Sequence, residues 1–75
     1  MVDFYVEIKG QIDSRALWDA LCAFDHYEET HQHAINVTDL GNMTLVYGNL
    51  PFLQAAAVVG ICEQFGETKA TFGKG

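Results

Sequence analysis

Val2-Asp3-Phe4-Tyr5-Val6-Glu7-Ile8-Lys9 alternates without a break. Phe4, Val6 and Ile8 point one way; Asp3, Tyr5, Glu7 and Lys9 point the other. A period of two with one apolar face describes a strand buried on one side only. Gly10 to Asp13 then reads as a turn. Asp13 or Ser14 is suited to cap a helix by accepting hydrogen bonds from its free N–H groups. From Arg15 onward, apolar residues recur at Leu17, Ala20, Leu21 and Phe24, a single stripe at helical spacing. The pattern fades near Asp25 to Glu29.

Alternation returns over residues 34–39, with Ile35 and Val37 inward. Leu40-Gly41-Asn42 reads as a tight hairpin connection. Met43, Leu45 and Tyr47 then form the expected inward face of a third strand, broken by Gly48-Asn49. Pro51 suits the first turn of a second helix, where its missing N–H would be unpaired anyway. That helix is expected to run to about Phe65, with Gly66 as its stop. Residues 67–72 make a last strand with Thr68, Ala70 and Phe72 inward, and Gly73-Lys74-Gly75 is a tail. The buried set expected from these stripes is Phe4, Val6, Leu21, Phe24, Ile35, Val37, Leu45, Val59, Ile61 and Phe72.

The element order is β-α-β-β-α-β in one domain spanning residues 1–75. Two βαβ halves of this kind close into a four-stranded antiparallel sheet with two helices on one face. The order resembles the ferredoxin-like fold, an α+β sandwich, over essentially the whole chain. The resemblance is one of pattern, and the fold hosts many unrelated functions.

Families that share the fold leave recognisable marks. Heavy-metal-associated domains carry Cys-x-x-Cys in the first loop; here that loop is Gly10-Gln11-Ile12-Asp13-Ser14. RNA-recognition domains set aromatics and bases on the central strands. Tyr5 is the one aromatic expected outward there, and Met43-Thr44-Leu45-Val46-Tyr47 lacks the glycine-aromatic pattern. Acylphosphatases place an arginine at the start of the first helix, but the residues around Arg15 and the chain length do not match. Ligand-binding domains of the ACT type, which use dimer interfaces, are compatible. No sequence family emerges.

The chain has 75 residues and a formal net charge of −6, with ten acids against four bases. That balance disfavours nucleic-acid backbones and anionic membranes, and favours a basic protein partner. Hydrophobic residues make up 49% of the sequence and proline occurs once, which argues against disorder. A domain this small buries only roughly 60% of its unfolded surface, so self-association is a natural aid to stability. Cys22 and Cys62 fall in apolar helical patterns, where free cysteine acts as a small hydrophobe. No basic-then-apolar segment opens the sequence, and Ala55 to Cys62 is too short to span a bilayer. A cytoplasmic location is expected, and Asn36-Val37-Thr38 and Asn42-Met43-Thr44 are read as chance sequons.

Asp25-His26-Tyr27-Glu28-Glu29-Thr30-His31-Gln32-His33 holds all three histidines. Acids near a helix C-terminus oppose its dipole at about 0.3–1 kcal/mol each, and such local conflict often marks function. Asp19, Asp25, Glu28 and Glu29, with Trp18 as an aromatic anchor, are the expected partner-binding residues. Against this, Trp18 also fits the edge of the core, and the acids also fit a solvated loop. His31 and His33, with His26, Glu28 or Glu29, have zinc-compatible chemistry. Without a second fixed pair they make a weak motif, and no metal or cofactor is assigned.

The second helix is apolar over a wide arc, with Ala56, Ala57 and Gly60 on its remaining side. Those small residues fit close packing against the first helix, or an oligomer interface with a second copy. No nucleophile–base arrangement and no glycine-rich phosphate loop is present. The leading expectation is a non-enzymatic binding protein: an inhibitor, adaptor or regulator of a larger basic protein. Small virus-encoded inhibitors of host defence, some ferredoxin-like, are the analogy. The alternative is a small oligomeric enzyme or regulatory ligand-binding domain with its site between subunits.

Overall fold

In the computed structural model, which describes residues 2–23 and 35–74, four strands and two helices alternate as β1 (Val2–Lys9), α1 (Ser14–Ala23), β2 (Ile35–Asp39), β3 (Met43–Leu50), α2 (Phe52–Glu63) and β4 (Thr68–Lys74). The strands form one sheet in the order β2-β3-β1-β4. Every neighbouring pair is antiparallel. This is the α+β, ferredoxin-like βαββαβ arrangement, with both helices feeding one core.

β1 holds the centre because it pairs on both edges, with Val6 opposite Val46 on one side and Ala70 on the other. Its inward residues Phe4, Val6 and Ile8 are buried. They meet Leu17 and Leu21 from α1, Ala55, Val58 and Cys62 from α2, and Ile35, Val46 and Leu50 from the neighbouring strands. Burying each large aliphatic side chain stabilises the fold by about 1.5–3 kcal/mol.

Of the two candidate caps for α1, Asp13 takes the role. Its Oδ1 accepts from the N–H groups of Arg15 and Ala16, both at 3.1 Å. Pro51 stands at the cap of α2 rather than inside its first turn, and Ala55 N–H donates to its carbonyl at 2.9 Å. α2 ends at Glu63, where Gln64 and Phe65 tighten the last turn with bonds to Ile61 and Cys62. Gly66 sits close against β1: a Cβ there would lie 3.2 Å from the Lys9 carbonyl oxygen and 3.3 Å from Ile8 Cγ2, so a neighbour would have to shift by a few tenths of an ångström.

The third strand differs from the sequence reading by a flip of face. Thr44, Val46 and Leu50 are buried, Leu45 is half-buried and Tyr47 is exposed. The cause is one residue of loop length. Leu40 N–H donates to the Met43 carbonyl at 2.9 Å, so the connection is the two-residue turn Gly41-Asn42, not three residues. Gly41 adopts φ +88°, as primed two-residue hairpin turns require, and donates to Asp39 Oδ1 at 2.8 Å. Asp39 therefore faces Thr44 rather than Met43. A slip of one residue sends every side chain of the strand to the other face.

Four further positions are less buried than expected. Val37, Val59 and Ile61 are half-buried and pack around the core rather than inside it. Phe72 faces the helices as expected but is 40% exposed, because only part of α2 reaches over β4. Phe24 lies outside the described residues.

Candidate functional site

The flip of β3 changes the outer sheet face expected from the sequence, which shows Tyr5, Glu7, Asn36, Lys69 and Thr71: Leu45 and Tyr47 stand there in place of Thr44 and Val46. On the outer face, one rung crosses all four strands: Asn36 opposite Tyr47, Tyr47 opposite Tyr5, and Tyr5 opposite Thr71. The two tyrosine rings lie 6.4 Å apart with their planes 33° from parallel. On one side of this rung, Asp3 lies between Asn49 and Gly73; on the other, Glu7 lies between Leu45 and Lys69. The Asn49 side-chain amide donates to Asp3 Oδ1 at 2.7 Å and fixes that carboxylate beside the rings.

Most of these residues line an open concavity of about 560 Å³. Its chemistry is that of a recognition patch. Tyrosine offers broad apolar area with few rotors, plus a hydroxyl that donates and accepts. An aromatic face flanked by carboxylates attracts cations, guanidinium above all. The expectation that Tyr5 is the only outward aromatic on the central strands is thus corrected by Tyr47. The missed signal was Gly41-Asn42, which as a two-residue turn fixes the facing of β3 from that of β2.

The residues singled out from sequence fall in several places. Trp18 is half-buried and packs against the core, and it also lines a second groove of about 380 Å³ with Arg15, Val37 and Asp39. Asp19, beside it on α1, is exposed. Asp25, Glu28 and Glu29, like His26, His31 and His33, lie outside the described residues. Ala56 is exposed, while Ala57 and Gly60 are half-buried. Close packing against the described part of α1 does not explain Gly60, since among the described residues a Cβ there would meet nothing within 4 Å.

Several other acids are occupied with structure. Asp13 caps α1, Asp39 closes the hairpin, and Glu67 pairs with Lys9 at 3.1 Å. That last pair is well exposed and contributes little. Cys62 is buried, and burial, with Glu63 adding repulsion, pushes its thiol up to about 12. It is a core residue and a poor nucleophile. Among the described residues no group of three metal-ligating side chains comes together, and no helix is long and apolar enough to cross a membrane.

No protein-family model, curated protein or solved structure matches the chain.

Proposed function

We propose that this chain is a non-enzymatic binding protein, an inhibitor, adaptor or regulator, that docks a basic segment of a larger protein on its outer sheet face. The rung Asn36–Tyr47–Tyr5–Thr71, flanked by Asp3 and Glu7, carries the reading. Interface anchors are typically aromatic residues at the centre of a patch with a polar rim. Here the centre is two tyrosines, and the rim supplies carboxylate and amide acceptors suited to arginine. The net charge of −6, to which Asp19, Asp25, Glu28 and Glu29 contribute, supports steering of a cationic partner.

The test is an NMR titration with a synthetic arginine-rich peptide at physiological salt. Shifts concentrated on Asp3, Tyr5, Tyr47 and Asn49, and an affinity lowered at least about tenfold (about 1.4 kcal/mol) in the folded Tyr5→Ala/Tyr47→Ala variant, are expected. Shifts spread evenly over the acidic surface, or binding unchanged in that variant, would remove the sheet face from the role.

A further inference from the structure

Among the described residues β4 is an edge strand, and the helices cover it only in part. On its helix-side face Ala70 and Phe72 are both exposed. Phe72 leans on Phe52 at the start of α2, with ring centroids 5.4 Å apart. Beside it Phe52 is itself 55% exposed. Taking about 200 Å² for a large aromatic side chain, Phe52 and Phe72 together leave roughly 190 Å² in water, next to the open strand edge.

Among the described residues the outer backbone edge of the strand has no partner strand. Glu67 turns its carbonyl toward β1, where it accepts from Lys9 N–H at 2.8 Å. Alternation then aims the polar backbone groups of residues 69, 71 and 73 at β1, and those of Thr68, Ala70, Phe72 and Lys74 outward. The pairing with β1 runs unbroken from Thr68 to Lys74, so no bulge twists this edge away.

We propose that β4 pairs antiparallel with β4 of a second copy about a two-fold axis at Thr71, joining two sheets into one of eight strands. This register is self-complementary. Thr71 meets the partner's Thr71, Phe72 meets the partner's Ala70, and Lys69 meets the partner's Gly73, so no like charges face each other. The outward backbone groups fall opposite one another, as an antiparallel ladder requires. Phe72 and the partner's Phe72 become diagonal neighbours on one face, within reach of aromatic rings, and the two Phe52 rings flank them. The patch carries no carboxylate in a chain of charge −6, so it fits a second copy better than the basic partner proposed for the outer face. Its area, with the strand edge, falls below the roughly 800 Å² per subunit of a standard interface. The dimer is accordingly a reversible one.

Sedimentation equilibrium between about 1 μM and about 1 mM tests this. The mass should rise from that of the 8.3 kDa chain toward twice that value. Ala70→Pro removes an outward N–H and leaves the β1 ladder intact, so it should stay monomeric with its sheet preserved. Phe72→Lys, which keeps the backbone, should do the same. Thr71→Cys should give, on oxidation, a dimer linked through the two introduced thiols, because directly facing residues come close enough for a disulfide. A wild-type monomer throughout, or a dimer that survives in folded Ala70→Pro and Phe72→Lys, would overturn the proposal.

Discussion

Tyr5 and Tyr47 sit directly opposite one another on the two central strands, yet 39% and 38% of their surfaces remain in water. Their mutual contact covers only part of each ring. The remainder is displayed on a sheet that is otherwise well packed from the other side.

Replacing either tyrosine by alanine should therefore cost the fold little. A double-mutant cycle on Tyr5 and Tyr47 should give a coupling of about 0.5–1.5 kcal/mol, the usual value for an aromatic pair. Urea unfolding of the wild type, both single variants and the double variant measures it. A loss of several kcal/mol from one substitution would show that the rings hold up the sheet.

The two glycines of the α2 region should respond in opposite directions. Among the described residues nothing lies within 4 Å of where a Gly60 Cβ would go, so Gly60→Ala should stabilise the protein by about 1 kcal/mol through helix propensity. Gly66 faces a backbone oxygen that is fixed in the sheet, so Gly66→Ala should destabilise by about 1–3 kcal/mol. Paired thermal melts decide both.

Stability should fall in alkaline solution because of Cys62. Its thiol stays protonated in the fold up to about 12, against an ordinary value of 9.0. Below pH 9 both states hold the proton and the group has no effect. Between pH 9 and 12 the unfolded chain loses its proton first, so the fold weakens by about 1.4 kcal/mol per pH unit from this group. Cys62→Ala should flatten that part of the profile, which denaturant titrations from about pH 8 to about pH 11 would show.

Trp18→Ala should lower stability by about 2–3 kcal/mol, less than a fully buried tryptophan, because Trp18 packs against the core from its edge. Asp13→Ala should cost about 1 kcal/mol by freeing the first N–H groups of α1. An unchanged melt for Trp18→Ala would return that side chain to a role in binding.

The elements and their order were legible because polar and apolar residues segregate cleanly in β1, α1 and β2. Phe4, Val6, Leu21 and Ile35 were recognisable as core for that reason. β3 resisted because both its faces are apolar enough to be buried: Met43, Leu45 and Tyr47 compete with Thr44, Val46 and Leu50. Polarity cannot choose between them; only the length of the turn can. The tyrosine pair was hidden by the same ambiguity. Phe72 illustrates a different difficulty, since its facing was readable while its cover depends on how far a helix reaches across the sheet.

The pairing of β1 with β4 also has a consequence for the order in which the fold can be completed. β1 is made before the strands that flank it and lies in the middle of the sheet, with Val2 opposite Lys74 and Ile8 opposite Thr68. Until residues 68–74 leave the ribosome, one whole flank of β1 has no mate. Closure of the long loop from β1 to β4 must precede that ladder, so folding is governed by distant contacts. A nascent chain of this protein is consequently most open to capture by other strands just before synthesis of β4 ends, and a substitution that weakens β4 would prolong that interval.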